Sequence, residues 1–489
     1  MMAFANPALW TAAEVEAATG GKRGADFAAR GVSIDSRTVS TGDLFVALTG
    51  PTFDGHDFIA HALAAGAAGV VASRRPATIA ANAPLVLVED TFAALQGLGR
   101  FARARSNARV AAVTGSVGKT GTKEALRHVL ARQGRTSASA GSLNNHWGVP
   151  LSLARTARDT QFGVFELGMN HGGELGPLSR LVRPHVAIVT TVEAVHAEFF
   201  SGIEAIADAK AEIFEGLEPQ GVAILNRDNT MFKRLAGAAR RHGASVVSFG
   251  RNSQADVRLL AADLGPTGSH LTVEFQGRRS ECEIGIAGQH WAMNSLAVLS
   301  AVLALGGYVD AALGALATLE PMAGRGRRHQ VALSGGSFAL IDESYNASPV
   351  SMQAAFAVLA RVPVERGQRR IAVLGDMLEL GPQGSVQHAA LTALLIEAGV
   401  DLVFTAGPLT GEIDRLMPQS MRGGHFENSR ALADALIGRI RPGDVVMVKG
   451  SAGSRMGVVV QALLSLVERG SGSGANADLG RRPRAMGEG

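Results

Sequence analysis

A short apolar run that leads through a glycine-rich turn into a helix constrains the fold of this chain more than any other segment. Residues 109–113 are RVAAV, residues 114–120 are TGSVGKT, and residues 122–133 are TKEALRHVLARQ. The apolar run is short and ends at a turn, which predicts a buried strand, whereas the third segment has helical periodicity. Strand, turn and helix in this order are the building unit of parallel α/β sheets. The predicted fold class is therefore α/β.

Further apolar runs divide the 489-residue chain into three α/β units. Strand candidates include GDLFVAL (42–48), PLVLVED (84–90), FGVFELG (162–168), GVAILN (221–226), FALIDE (338–343), RIAVLGD (370–376) and DLVFTAG (401–407). A hairpin is predicted from HLTVEFQG (270–277) and SECEIGIAG (280–288). At roughly 150 residues per domain, the length also predicts about three domains. The expected division is 1–107, 108–323 and 324–469, followed by a disordered Gly/Ser-rich tail over 470–489.

Composition excludes several classes of protein. The chain has 47 Lys and Arg against 43 Asp and Glu, and aromatics make up only 5%, which argues against a nucleic-acid partner. The single cysteine, Cys282, fits a reducing cytoplasm, and no secretory signal precedes the first unit. The apolar stretch 295–309 has 15 residues, fewer than the ~20 that a bilayer span needs, so a buried helix is expected. With no long apolar seam, a monomer without a membrane partner is predicted.

The turn 114–120 has the features of a phosphate-binding loop. Backbone N–H groups and the helix N-terminus would face an anion, while Lys119 would reach the β- and γ-phosphates and Thr120 would hold Mg²⁺. The full P-loop spacing requires glycine at position 113, where this chain has Val113. The sequence therefore has the shorter T-G-x-x-G-K-T form. The alternative is a helix N-cap turn with an incidental lysine.

Two further residues are candidates for metal ligands. Glu166 ends the strand FGVFELG, and His196 follows the run HVAIVTTV (185–192). Because the carboxyl ends of parallel strands meet at one sheet edge, both are expected near the phosphates. A carboxylate and an imidazole beside a triphosphate suit metal bridging. Taken singly, either residue is more often a surface or structural residue.

Lysine is rare in this chain, since only six of the 47 basic residues are lysines. Arginine has thus been used almost wherever a positive charge is sufficient, and each lysine raises the question of what arginine could not do there. Lys210, in the helical segment IEAIADAKAEIFEGL (203–217), would by local pattern pair with Asp208 or Glu215 on a solvated face. Lysine, unlike arginine, can instead lose its proton and add CO₂ to become an anionic carbamate ligand for Mg²⁺.

The order of motifs along residues 35–465 resembles the Mur ligases, ATP-dependent amide-forming enzymes of bacterial peptidoglycan synthesis. The matching stretches are DSRTVSTGDLFVALTGPTFDGHDF (35–58), TGSVGKTGTKE (114–124), GSLNNHWGVPLSL (141–153), FELGMNHGGE (165–174), EAVHAEFF (193–200), AKAEIF (209–214), NRDN (226–229), DESYNASPVSM (342–352), GDMLELG (375–381) and VKGSAGSRM (448–456). Among these, NN-x-x-GVPL, D-x-SYNA-x-P and GDMxELG resemble the member that adds a dipeptide.

The resemblance implies a central P-loop-type, mostly parallel sheet flanked by an N-terminal substrate domain and a C-terminal Rossmann-like domain. It implies ligation of D-Ala-D-Ala to UDP-N-acetylmuramoyl-tripeptide, with ATP and two Mg²⁺ ions. The implied ATP-binding residues are Thr114, Gly115, Ser116, Val117, Gly118, Lys119, Thr120, His290, Asn294, Arg325 and Asp342. Implied metal ligands are Thr120, Glu166, His196 and carbamylated Lys210. Implied substrate contacts are Ser36, Arg37, Asn144, Asn145, Lys449, Gly450 and Ser451, and the implied catalytic residues are Lys119, His196, Lys210 and Arg325.

The chain departs from the family pattern at a few positions. Val117 replaces a small polar residue, His146-Trp147 replaces an acidic-aliphatic pair, and Glu343 and Ser348 vary the third-domain motif. Alternative functions are another Mur-type ligase, folylpolyglutamate synthetase, a P-loop kinase and a non-catalytic nucleotide-binding module. The third-domain motifs argue against the first two. A kinase would need a catalytic Asp positioned for a hydroxyl acceptor, a binding module would not need paired metal ligands, and neither explains three sheet domains whose strand ends converge on one nucleotide.

Overall fold

The computed structural model describes residues 8–194 and 197–466, which form two compact units. The first unit comprises the chain up to residue 264 with 268–285 and 289–319, and the second comprises the chain from residue 320 with 265–267 and 286–288. His196 and the predicted tail lie outside the described residues. The predicted domain boundaries stay predictions.

The first unit begins with a small sheet in the order β2-β7-β6-β5-β4. Its strands are β2 (Lys22–Arg23), β4 (Gly31–Ser33), β5 (Asp43–Val46), β6 (Gly69–Ala72) and β7 (Leu85–Leu87), and β1 (Trp10–Thr11) pairs separately with β3 (Ala28–Ala29). The helices are α1 (Ala12–Thr19), α2 (Ile59–Ala64) and α3 (Thr91–Ala104). Strands β4 to β7 are parallel, and β2 is antiparallel to β7. Strand β5 lies within the predicted segment 42–48 and β7 within 84–90, so both strand predictions are confirmed.

A larger sheet in the same unit has the order β16-β15-β14-β13-β12-β11-β8-β10-β9. Its strands are β8 (Arg109–Thr114), β9 (Thr136–Ala138), β10 (Phe162–Glu166), β11 (Val186–Val189), β12 (Val222–Asn226), β13 (Ser245–Gly250), β14 (Val257–Leu264), β15 (Ser269–Phe275) and β16 (Arg278–Ile284). The helices are α4 (Lys119–Leu130), α5 (Gly148–Ala154), α6 (Leu175–Val182), α7 (Ile203–Ala211), α8 (Phe232–Arg241), α9 (Gln289–Ala304) and α10 (Val309–Leu316). β15 and β16 are antiparallel, which confirms the predicted hairpin.

The second unit is built on a sheet in the order β17-β18-β22-β19-β20-β21. Its strands are β17 (Arg327–Leu333), β18 (Gly336–Glu343), β19 (Arg370–Gly375), β20 (Leu402–Ala406), β21 (Arg422–Phe426) and β22 (Val445–Lys449). The helices are α11 (Pro349–Arg361), α12 (Gly384–Glu397), α13 (Gly411–Leu416), α14 (Ser429–Leu436) and α15 (Gly457–Leu464). Only β17 is antiparallel to its neighbour, so the sheet is mostly parallel.

The strand register brings the candidate residues at the carboxyl ends of β8, β10 and β11 to the same side of the large sheet. β8 and β11 are buried along almost their whole length, because helices cover both faces of a parallel sheet. Glu166 pairs with Val113, and Val189 pairs with Thr114, so β8, β10 and β11 end side by side. The mixed α/β architecture with mostly parallel sheets confirms the predicted fold class, and it places the phosphate turn beside the end of β10.

The predicted apolar helix differs from the observed one in its bounds. Helix α9 begins at Gln289 and ends at Ala304, six residues before the expected start and five before the expected end. Gly306, with φ at +76°, and Gly307 follow it and end the helix, because a left-handed residue cannot continue an α-helix. Within the described residues, no helix combines the length and the apolar character that crossing a membrane requires.

His185, immediately before β11, is held in its neutral form. Its Nδ1 accepts a hydrogen bond from the backbone N–H of Val110 at 3.0 Å, so this nitrogen carries no proton. Burial lowers the pKa of His185 to about 4, and the positive charge of Arg109 acts in the same direction. Protonation would break the hydrogen bond that joins the start of β11 to β8.

This histidine predicts an acid-sensitive contribution to stability. The unfolded histidine has a pKa near ~6.5, so between about pH 6.5 and about pH 4 the unfolded state binds more protons and stability falls as pH falls. Urea unfolding at about pH 7.5 and about pH 5 should show a larger loss for wild type than for His185→Gln, by on the order of 1 kcal/mol. His242→Gln, at an exposed position, is the control. Equal losses in wild type and His185→Gln would contradict the assignment.

Candidate active site

The predicted phosphate turn joins β8 to α4. Gly118 is the residue before the helix, with φ at +91° in the left-handed region that favours glycine. A Cβ at Gly115 would lie 1.9 Å from Thr190 Oγ1, so this position excludes any side chain. The first N–H groups of a helix have no intrahelical acceptor, and here they lie at the end of a buried strand. This geometry is that of an anion-binding turn.

Lys119 and Thr120 occupy the first turn of α4. Lys119 Nζ donates a hydrogen bond to the Gly115 carbonyl at 2.7 Å, so the ammonium folds back over the turn. Thr120 is buried in the same turn. Both side chains therefore lie in the turn, and their roles toward ATP and Mg²⁺ stay predictions.

The far side of the turn is fixed to the end of β11. Ser116 Oγ donates to the Glu193 carbonyl and accepts from the Glu193 N–H, each at 3.0 Å. Thr190 Oγ1 donates to the Val117 carbonyl at 2.6 Å. Thr190 was not among the predicted residues, because its role depends on strand order rather than on local sequence. The Thr114 hydroxyl is buried and has no hydrogen-bond partner among the described residues.

Glu166 is buried at the end of β10, with 1% of its surface exposed. Oε1 accepts a hydrogen bond from Asn144 Nδ2 at 2.7 Å, and Oε2 has no partner among the described residues. A buried carboxylate oxygen without a hydrogen-bond partner costs free energy unless a bound ligand interacts with it. Oxygen donors from Glu166 and Thr120 fit Mg²⁺, which prefers one or two protein ligands together with substrate phosphates. No cluster of three His, Cys, Asp or Glu side chains in the described residues would hold a metal by itself.

Lys210 lies near the end of α7 with only 2% of its surface exposed. Burial, together with the nearby charge of Lys119, lowers the pKa of Lys210 well below its usual value. The two acids expected to pair with it bind elsewhere, because Asp208 pairs with Arg234 and Glu215 with Arg180. The solvated-face interpretation of Lys210 is therefore wrong.

Helix α9 packs beside the turn through its first residues. A Cβ at Gly118 would lie 2.9 Å from Asn294 Oδ1, so Asn294 is against the phosphate turn. The His290 ring is 6.1 Å from that of Trp291, and Trp291 packs against Gly121 of α4. The structure thus brings Asn294 to the predicted nucleotide site and places His290 one helical turn before it.

Ser36 and Arg37 begin the short 3₁₀ helix Ser36–Thr38 after β4, which is capped by the Asp35 side chain. Arg37 donates to both carboxylate oxygens of Asp35, with Nη2 to Oδ2 at 2.7 Å. This hydrogen bond, against a smaller opposing effect of burial, lowers the pKa of Asp35. The Arg37 side chain is largely exposed, so the guanidinium can be reached by a ligand.

Asn144 and Asn145 border a cavity of about 770 Å³ within the first unit. Asn145 Oδ1 accepts from the N–H groups of Trp147 and Gly148, which begins helix α5, while Asn144 reaches Glu166. The lining includes polar and charged side chains: Gln96, Arg100, Asn144, Asn145, His146, Asn170, Glu174 and Arg180. The cavity therefore suits a polar ligand that extends toward the end of β10.

Arg325 and Asp342 lie close together in the second unit. Asp342 accepts hydrogen bonds from the Gly324 N–H at 2.7 Å and from the Ser344 hydroxyl at 2.6 Å. The Arg325 guanidinium stacks 4.2 Å from the centre of the Tyr345 ring. Asp342 thus orders the turn that precedes Arg325.

The last residue of β22 and the two residues of the turn that follow it in the second unit are the other three predicted residues. Lys449 is buried and donates to Glu343 Oε2 at 3.3 Å and to the Asn346 carbonyl at 3.0 Å. Gly450 is in close contact with Ser454, and Ser451 Oγ accepts from the Leu378 N–H at 3.0 Å. These contacts hold the turn, and the roles of its residues toward substrate stay predictions.

Models of known protein families match three segments of the chain. The model of the Mur ligase middle domain matches residues 113–302, that of the Mur ligase glutamate ligase domain matches 326–452, and that of the Mur ligase family catalytic domain matches 29–103. A protein of Escherichia coli (strain K12) named UDP-N-acetylmuramoyl-tripeptide--D-alanyl-D-alanine ligase is 36% identical over 90% of this chain and 95% of its own. The chain belongs to the Mur ligase family. The family predicted from the motifs is confirmed.

Other Mur ligases give the same result. A Rickettsia prowazekii (strain Madrid E) protein of the same name is 33% identical over 88% of this chain and 94% of its own. A crystal structure of MurF from Acinetobacter baumannii, 30% identical, covers 93% of this chain and 99% of its own with a TM-score of 0.81. MurF ligase from Thermotoga maritima in complex with ADP, 27% identical, covers 90% and 98% with a TM-score of 0.74.

Proposed function

We propose that this Mur ligase joins D-Ala-D-Ala to the C-terminal carboxylate of UDP-N-acetylmuramoyl-tripeptide, with conversion of ATP to ADP and phosphate. The observation that carries the proposal is the buried Glu166, with one free carboxylate oxygen, at the strand end beside the phosphate turn. Similarity to relatives named for this reaction, over nearly their whole length, supports the substrates.

The chemistry explains why a ligase needs a phosphate turn. A carboxylate does not form an amide directly, so a tripeptide carboxylate oxygen attacks the γ-phosphorus and ADP leaves, which gives an acyl phosphate. The D-Ala-D-Ala amine then attacks the acyl carbon, loses a proton, and expels phosphate from a tetrahedral intermediate. Lys119 neutralises charge on the transferring phosphoryl group. Arg325 is the proposed partner of the tetrahedral oxyanion.

The metal ligands are proposed from donor chemistry. Thr120 and Glu166 would hold one Mg²⁺, and His196 with carbamylated Lys210 would hold a second. Bound Mg²⁺ supplies charge neutralisation on the phosphates. A neutral amine at Lys210 could add CO₂ and release a proton, and the resulting carbamate would place an anion near Lys119. Burial of Lys210 without an ion pair to any described acid supports this assignment.

The remaining sites are proposed as follows. ATP would bind residues Thr114–Thr120 with Asn294 and His290 alongside. Arg325 and Asp342 of the second unit are also assigned to ATP, on the family resemblance. The cavity beside Asn144 and Asn145 would hold the muramoyl-peptide, and Ser36 and Arg37 the UDP group. Residues Lys449, Gly450 and Ser451 are assigned to the dipeptide or the peptide end. A monomeric state and a cytoplasmic location stay predictions.

A phosphate-release assay tests the proposed function. With UDP-N-acetylmuramoyl-tripeptide and D-Ala-D-Ala together, phosphate should accumulate in equal amount to amide product. Omission of either substrate should lower sustained release by at least about 10²-fold, because the acyl phosphate neither forms without the acid nor turns over without the amine. Phosphate release without the muramoyl substrate would point to a different phosphoryl transfer. Product formation with a single amino acid in place of the dipeptide would instead favour another Mur-type ligase.

A further inference from the structure

Lys123 is a buried lysine on helix α4, one turn after Lys119. Its side chain is wholly buried, so it does not lie on a solvated helix face. Its ammonium donates three hydrogen bonds. The acceptors are Glu124 Oε1 at 2.6 Å, the Ser139 carbonyl at 2.7 Å and the Gly141 carbonyl at 2.9 Å. Each of its three N–H bonds therefore has one acceptor.

The chemistry of this position explains why lysine is present in a chain that favours arginine. Three acceptors around one nitrogen match a compact ammonium, whereas a guanidinium is planar and spreads its donors over a wider fork. Burial raises the pKa of Glu124, but hydrogen bonds from Lys123 and Arg127 outweigh it and lower that pKa. The buried ammonium thus has an ionised partner and two carbonyls, as a buried charge requires.

The two carbonyls belong to the segment 139–144, which contacts Glu166 at two points. Ser139 Oγ accepts a hydrogen bond from the Glu166 N–H at 3.2 Å. Asn144 Nδ2 donates to Glu166 Oε1 at 2.7 Å, and the Asn144 carbonyl accepts from the Gly168 N–H at 2.8 Å. One carboxylate oxygen is thereby used, and the other is left for a ligand.

We propose that Lys123 is a positioning residue that fixes segment 139–144 to helix α4 and so holds the Glu166 carboxylate in register with the phosphate turn. The helix that begins with Lys119 and Thr120 and the segment that orients Glu166 are thus joined by one ammonium. The inference rests on the proposed function in one respect, that Glu166 is a ligand for the nucleotide-bound metal.

The test compares Lys123→Met with Lys233→Met, a control at an exposed lysine of α8. In Lys123→Met, amide hydrogen exchange of residues 139–145 in the ligand-free enzyme should be faster by about tenfold or more, because two carbonyls lose their donor. Mn²⁺ binding in the presence of a non-hydrolysable ATP analogue should weaken by about 10–100-fold, as for residues that orient metal ligands. The Mg²⁺ concentration for half-maximal turnover should rise in parallel. A loss of stability alone would reduce the active fraction without moving this concentration.

Unchanged exchange and unchanged Mn²⁺ affinity in a folded Lys123→Met would overturn the inference. If that variant does not fold, Ser139→Ala provides the second test, since it keeps the carbonyl bound by Lys123 and removes only the hydroxyl that accepts from Glu166. It should weaken Mn²⁺ binding, and wild-type affinity would also overturn the inference. Hydrogen exchange and Mn²⁺ binding do not use the UDP substrate, so failure of wild type to form amide product would reject the proposed function separately.

Discussion

Replacement of Lys119 by alanine is expected to lower the turnover of ATP-dependent ligation by about 10³-fold or more. The ammonium lies over the phosphate turn, 2.7 Å from the Gly115 carbonyl, where it would neutralise charge on the transferring phosphoryl group. The measurement is the rate of ADP and amide formation with all three substrates, together with the melting temperature of the variant.

The matched control is Lys233→Ala, which removes an exposed lysine from α8 and should leave turnover unchanged. Near-normal ligation by a folded Lys119→Ala would contradict the assignment of the turn 114–120 as the phosphate site. A drop in melting temperature equal in both variants would show that stability does not explain the difference in rate.

Replacement of Lys210 by alanine is expected to lower turnover by about 10³-fold, since loss of an anionic metal ligand removes several kcal/mol of charge stabilisation. Added short carboxylates, such as acetate, should restore part of the activity by occupying the vacated ligand position. Lys210→Arg should remain inactive, because a guanidinium does not add CO₂ and its charge would be buried near Lys119.

A spectroscopic measurement separates the carbamate from a simple packing role. Wild type in ¹³C-labelled bicarbonate should show a carbamate carbon signal that is absent from Lys210→Ala, while Lys22→Ala, at an exposed position, should retain it. Full activity of Lys210→Arg, or no recovery with any carboxylate together with no carbamate signal, would contradict the proposal.

Much of the fold was predictable because its strands carry a local signal. Buried runs such as RVAAV and FGVFELG are apolar over most of their length, and both form strands at the expected positions. The end of helix α9 was misplaced because an apolar composition continues past Ala304, and the chain breaks there only through Gly306 and Gly307. The boundary therefore depended on backbone conformation rather than on hydropathy.

The positions of candidate site residues were predictable where motif and strand end coincide, as for Lys119 and Glu166. They were less predictable where partners lie far apart in sequence. Lys123 carries no local sign of burial, because its carbonyl acceptors are 16 and 18 residues away. The local pattern of Lys210 suggested two acidic partners, and the structure pairs both with arginines of other helices. Lysine scarcity, a property of the whole chain, was the signal that singled out Lys210.

The most direct test of the central proposal follows oxygen atoms through the reaction. Wild-type enzyme is incubated with ATP, D-Ala-D-Ala and UDP-N-acetylmuramoyl-tripeptide labelled with ¹⁸O in its terminal carboxylate, and phosphate and product are analysed by mass spectrometry. An acyl-phosphate ligase transfers one carboxylate oxygen to each phosphate released, so the phosphate should carry one ¹⁸O for each amide formed. Release of unlabelled phosphate, or of phosphate without the pentapeptide product, would contradict the proposal.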